Sequence, residues 1–144
     1  MANSEHVRIL MGDGVESWNK WRVENPDIVP QLDDADFFGV NLKEALLYDV
    51  NLKFAVLSKA NLYRADLSGA DLSRAYLSCV DFRQAKLDGI RNWKAIECLR
   101  QANIFGVRDA PDGFVEWARE KKGAVAIEFM EEKSTDFALL SNLG

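Results

Sequence analysis

Between residues 30 and 89 the chain repeats every five residues, a period that belongs neither to a strand, which alternates every two, nor to a helix at 3.6. Leu32, Phe37, Leu42, Leu47, Leu52, Leu57, Leu62, Leu67, Leu72, Leu77, Phe82 and Leu87 stand in unbroken five-residue register. Two residues before most of them comes a small one, Ala35, Ala45, Ala55, Ala60, Ala65, Ala70, Ala75 or Ala85, with Val40, Val50 and Val80 as larger substitutes and Pro30 opening the series. In a helix a step of five advances about 140° beyond a full turn and would scatter the leucines over every face. A chain that turns a corner every five residues keeps them together. Four such sides close a square, and twenty residues bring the backbone back above itself at the strand spacing of about 4.8 Å, where it can pair with the rung below. Leucine then fills the centre. Alanine must stand beside it because the interior is about one side chain wide, and anything larger meets its opposite number.

The position just before each apolar centre is Asp or Asn in seven of twelve repeats. A polar residue recurring at one structural position is read as a corner residue that bonds local backbone, in preference to a catalytic carboxylate. The rest of the chain offers little chemistry. His6 is the only histidine and lies in a polar leader for which disorder is expected, and no acid, base and nucleophile converge elsewhere. No metal-ligand spacing and no Gly-rich phosphate loop is present, so no cofactor, metal or catalytic residue is assigned. Cys79 and Cys98 form no CxxC pair and are read as reduced thiols.

At 144 residues, 48% hydrophobic and 28% charged, the chain is expected to form one domain with its own core. Its apolar runs are too short to span a bilayer and "MANSEHVRIL" lacks a basic leader with a cleavage site, so no membrane association and a cytoplasmic location are expected. Residues 30–89 form the repeats and residues 1–29 a leader with a capping helix. Residues 90–108 are an irregular partial fourth coil, 109–123 a second capping helix and 124–144 a tail. Caps are needed because a finite solenoid otherwise ends in exposed core and unpaired strand edges. "DGVESWNKWRVENP" supplies one, with Asp13 as N-cap, Trp18 and Trp21 on its apolar stripe and Pro26 as the stop. "DAPDGFVEWAREKKG" supplies the other, with Pro111 in its first turn, Phe114 and Trp117 on the stripe and Gly123 past its end. These aromatics are read as lids rather than as ligand-stacking platforms. Ile104 in "ANIFG" comes seventeen residues after Leu87, not a multiple of five, which calls for a bulge or short helix around Trp93 to Leu99. "AVAIEFM" could form a strand and "DFALLSNL" an amphipathic segment, either folded back on the coil or crossing to a second copy, so a homodimer through the tail is one expectation.

Copies of A(D/N)Lxx such as "ANLYR", "ADLSG" and "ADLSR" resemble the pentapeptide-repeat proteins, and the flanks are similar to the ends of small bacterial members of that family. The resemblance implies a mainly β fold, a right-handed quadrilateral β-helix of about three to four coils with short α-helical caps at both ends.

Residues twenty apart stack in such a coil, which sorts the outward positions by side. One side carries Lys43, Tyr63 and Arg83 flanked by Arg64, and is basic. The side before it carries Phe38, Val56 and Tyr76, an apolar mixture that calls either for a tail segment packed over it or for a partner. Leu46 and Tyr48 are placed beneath the N-terminal helix or its linker. The reading is a non-enzymatic scaffold for protein contact, partner unknown. The resemblance also implies an alternative, since some members mimic DNA and bind gyrase or other topoisomerases through an acidic rod. Here nine acidic residues of the repeats face seven basic ones, a balance of −2. Three coils stack to roughly 15 Å, against about 34 Å for a turn of duplex. Direct nucleic-acid binding is disfavoured by the net charge of −5 and the absence of a basic run.

Overall fold

In the computed structural model, which describes residues 1–128, the repeats wind into a β-solenoid. Residue i pairs in parallel with residue i+20, and the bridges fall into four columns, beginning Gln31–Asn51, Asp36–Val56, Asn41–Asn61 and Leu46–Asp66. These columns name the sides of the coil. Each corner is a four-residue turn closed by a bond such as Ala35 N–H to the Leu32 carbonyl. The residue two beyond the apolar centre has positive φ in every repeat, which is the type II turn signature. Glycine takes that position only at Gly39, Gly69 and Gly89; Asp34, Glu44, Asp49, Phe54, Lys59, Arg64, Arg74, Cys79 and Gln84 adopt it with φ between 56° and 62°. A side chain there costs about 1 kcal/mol, and core burial and the inter-rung ladder sustain it.

The Asp and Asn residues ahead of the centre relieve part of that demand. All seven accept, through Oδ1, the N–H two residues on: Asp36 from Phe38, Asn41 from Lys43, Asn51 from Lys53, Asn61 from Tyr63, Asp66 from Ser68, Asp71 from Ser73 and Asp81 from Arg83. These are Asx turns, so the recurring carboxylates and amides shape corners. Inward, all twelve apolar centres are 0–1% exposed and the alanines beside them, from Ala45 to Ala85, are equally closed. Each buried leucine contributes roughly 1.5–3 kcal/mol relative to an exposed one.

After Arg91, which pairs with Asp71, the register slips by two: Tyr76 pairs with Cys98, Asp81 with Asn103 and Lys86 with Arg108. A short 3₁₀ turn, Trp93–Ala95, absorbs the extra length. Ile104 therefore joins the core above Phe82 despite its broken spacing.

The N-terminal end is closed by α1 (Ser4–Arg8), a π-helical turn (Ile9–Asp13) and α2 (Gly14–Glu24). Two expectations change here. Asp13 makes no cap bond, and its carboxylate instead takes Arg8 Nη1 at 3.2 Å. His6, expected to be disordered, is buried, because α1 is capped by Asn3 and laid against the first rung. At the other end α3 is Phe114–Lys122: Pro111, expected in its first turn, precedes the N-cap Gly113 and gives its carbonyl to the Phe114 N–H, and the helix ends at Gly123, in left-handed conformation at φ 71°. Val125 then pairs with Asn103 as one more parallel bridge. "DFALLSNL" lies outside the described residues.

Candidate protein-contact surface

Regular rungs bring the outward residues into register. On the Asp36 side one column runs Asp36, Val56, Tyr76, Cys98. Beside it stand Phe38, Ser58 and Ser78, with Ser78 Oγ donating to Ser58 Oγ at 3.0 Å. Phe38 is 57% exposed and Tyr76 42%, while Val56 is half-buried between its neighbours. Nothing among the described residues packs over them. Phe54, 50% exposed on the preceding corner, extends the apolar area beyond what sequence reasoning assigned. It was missed because a corner position is polar in most repeats. Lys59 Nζ lies 5.7 Å from the Phe38 ring and gives the strip a cationic margin.

The Asn41 side brings the other candidates together around one ring. Lys43 Nζ is 5.6 Å from the centre of Tyr63, Arg64 Cζ 5.4 Å and Arg83 Cζ 5.3 Å. Arg83 is also gripped by Asp81, Nη2 to Oδ2 at 2.7 Å, a bond that with the carboxylate's charge raises its pKa further. Its Nη1 reaches the Glu128 carbonyl at 3.3 Å. Arg64 Nε donates to Gln84 Oε1 at 2.8 Å. The side is thus basic but internally braced, an aromatic framed by cations whose positions are held from neighbouring rungs.

The lids sit where the core ends. Trp18 is fully buried and donates Nε1–H to the Leu46 carbonyl at 2.9 Å, with Trp21 stacked at 5.3 Å. Arg22, 1% exposed, donates to the Ile28 and Tyr48 carbonyls and lies 3.9 Å over the Tyr48 ring. Burial pushes its pKa down from the usual guanidinium value. Leu46 and Tyr48 therefore lie against the helix. At the opposite end Phe114 and Trp117 gather around Trp93, at 5.6 and 5.2 Å.

Two residues that sequence reasoning missed complete the ends. His6 Nδ1 accepts the Gln31 N–H at 3.0 Å, and burial lowers its pKa below 6.5. Asn103, 0% exposed, donates Nδ2–H to the Ile127 carbonyl at 2.8 Å. Its Oδ1 accepts the N–H of Ile127 at 3.0 Å and of Phe105 at 3.1 Å. "ANIFG" already showed Asn103 as a repeat amide, but nothing in it tells that a strand arrives above.

Among the described residues no group of three or more His, Cys, Asp or Glu could hold a metal, and no helix is long and apolar enough to cross a membrane. Cys79 is exposed and Cys98 half-buried, both as free thiols.

The model for pentapeptide repeats matches residues 35–74 and 55–91, with 8 copies. Residues 35–91 are thus pentapeptide repeats by that family's pattern. Two solved pentapeptide-repeat proteins are similar to the chain. One, from the Arabidopsis thaliana thylakoid lumen, is 24% identical over 79% of this chain and 72% of its own, with a TM-score of 0.42. The other, HetL, a pentapeptide-repeat protein involved in heterocyst differentiation regulation from the cyanobacterium Nostoc sp. strain PCC 7120, is 26% identical over 66% of this chain. That match spans 38% of HetL, with a TM-score of 0.26. No curated protein matches. Within these repeats the recurring carboxylates and amides bond the corners, and the outward residues between them make no such bond.

Proposed function

We propose that this pentapeptide-repeat protein is a non-enzymatic scaffold that offers two adjoining outward sides to a protein partner, from a right-handed quadrilateral coil of three to four turns. One observation carries the reading. Phe38, Phe54 and Tyr76 stand 42–57% exposed on a backbone fixed rung by rung, an arrangement that costs solvation in the free protein and suits aromatic anchoring of a partner. The cation-framed Tyr63 side next to it supplies orientation. A cytoplasmic location and a homodimer through the C-terminal tail are compatible with this reading.

Mimicry of DNA receives less support. Asp71 faces Lys53 at 3.7 Å and Asp81 is held by Arg83, so these two carboxylates are offset by neighbouring cations, unlike the bare charges of a phosphate backbone. Affinity capture from the source lysate distinguishes the two. A scaffold partner is lost on Tyr76→Ala with Phe38→Ser, or on Tyr63→Ala, and retained on Asp34→Asn with Asp36→Asn. Capture unchanged by the aromatic substitutions but abolished by the aspartate pair, together with inhibition of purified gyrase, would overturn the scaffold reading.

A further inference from the structure

The first rung has an outer edge, and its hydrogen bonds can be accounted for side by side. From Asn51 to Arg91 the residue ahead of each apolar centre turns both backbone groups toward the rung before it; Val56 N–H donates to the Ala35 carbonyl and its own carbonyl accepts from Phe37. The equivalent groups of the first rung have no rung to meet. On two sides the cap imitates one. Gln31 gives its N–H to His6 Nδ1 and its carbonyl to Asn3 N–H. Leu46 gives its N–H to Asn19 Oδ1 and its carbonyl to Trp18 Nε1–H. On the other two sides the imitation stops. Among the described residues nothing bonds the N–H or carbonyl of Asp36 or of Asn41, or the Phe38 and Lys43 carbonyls. Asp36, Phe38, Asn41 and Lys43 are all exposed, whereas Asn61 and Asp81, above Asn41, are half-buried and Asn103 is buried.

We infer that residues 36–43 form a docking edge for an extended polypeptide strand of a partner protein, taken up as an added rung. Only another backbone supplies the alternation of acceptor and donor that this edge lacks, and the turn at Gly39 requires the incoming strand to bend with it. The side chains define the strand's chemistry through the pairing of vertical neighbours. It carries a basic or polar residue beneath Asp36, an apolar one two positions on beneath Phe38, and an acidic or aromatic one beneath Lys43. A second copy cannot stack there directly, because its own α1 and α2 occupy the space beneath the adjacent sides. The scaffold reading rests on outward side chains, so an edge that fails to bind leaves that reading intact.

The probe is a blocked peptide with the sequence of residues 56–65 carrying Val56→Lys and Ser58→Leu, so that a lysine lies beneath Asp36, a leucine beneath Phe38 and the tyrosine of position 63 beneath Lys43; the parent segment already carries a rung above it in the chain. Titrated into the ¹⁵N-labelled full chain to about 1 mM, the concentration expected for a weak strand addition, it should shift the Asp36 and Asn41 amides saturably. Asn41→Pro removes an N–H that has no partner among the described residues, together with the side chain that accepts the Lys43 N–H; it should therefore melt as Asn41→Ala does, while binding weakens roughly tenfold, the loss expected for one hydrogen bond. Asn41→Ala, which keeps the N–H, should bind as the unmodified chain does. An independent reading needs no variant: amide exchange at Asp36 and Asn41 should be fast beside that at Asn61 and Asp81. No saturable shift, shifts mapping away from the edge, binding indifferent to Asn41→Pro, or protection at Asn41 equal to that at Asn61 would each overturn the inference.

Discussion

Asn103→Leu tests how the C-terminal end is closed. The side chain is 0% exposed and its amide completes a ladder that the backbone leaves short: Val125 N–H meets the Ala102 carbonyl and Ile104 N–H the Val125 carbonyl, both at 2.8 Å. The next pairing, to Ile127, is made by the amide alone. Leucine keeps the shape but strands three groups, the N–H and carbonyl of Ile127 and the N–H of Phe105. At about 1 kcal/mol net for each bond the upper bound is about 3 kcal/mol. Ile127 is half-exposed, so water recovers part of this and about 2 kcal/mol is expected. The loss should be local, since the rungs below keep every contact. Native-state amide exchange is the direct assay: protection at Val125 and Ile127 should fall by roughly thirtyfold, the equivalent of 2 kcal/mol, while Asn61 and Asp81 hold theirs. Asn103→Asp keeps the acceptor but sets a second oxygen against the Ile127 carbonyl inside a closed site, and should lose as much. Unchanged protection at Ile127 in either variant would refute the amide's role.

Two further outcomes follow from the core and the N-terminal cap. Ala65→Leu crowds a position with 0% exposure and should destabilise by about 1–3 kcal/mol, whereas Ser68→Leu, on an outward residue, should cost far less; equal melting temperatures would remove the one-side-chain-wide interior. His6, with its pKa lowered by burial, contributes stability that is fully present above 6.5 and is lost as pH falls from there through the depressed folded value, because the unfolded imidazole takes up its proton first. Urea unfolding from about pH 8 down to about pH 5 should show that decline, and it should vanish in His6→Gln; a decline that persists unaltered in the variant would assign it to other groups.

The parts of the fold legible in the sequence are those that the coil's interior imposes. Leu62 and Ala65 recur because every side must fill the same square, and Asn61 recurs because the same corner needs the same acceptor. What stayed hidden has no such repetition. Phe54, Lys59 and Arg64 carry no sign that their backbone is left-handed, since the conformation is imposed by pairing above and below and not chosen by the residue. The leader misled because His6 reads as one more polar residue until the rung edge is present for it to cap. The seventeen-residue gap before Ile104 was visible, but the two-residue slip that resolves it depends on where the Trp93–Ala95 turn finds room. For the contact surface, stacking by twenty placed Phe38, Val56 and Tyr76 on one side and Lys43, Tyr63 and Arg83 on the next. It could not show how Arg64 and Arg83 would converge on a single ring, which depends on side-chain bonds to Gln84 and Asp81.

This division between repeated and unrepeated positions decides where recognition can reside. An inward residue cannot change without altering the packing of two rungs, and a corner carboxylate cannot change without freeing an N–H. A side chain such as Tyr76 or Tyr63 contributes to neither, so its replacement leaves the coil in place and alters only the surface. On the scaffold reading proposed above, binding and stability are therefore separable. A partner of the proposed surface must also conform to the coil, because the backbone from Asn51 to Tyr76 is bonded to the rungs on either side and has no alternative arrangement to offer. Association should accordingly proceed without a conformational step in this chain, with the cost of ordering borne by whatever lies against it.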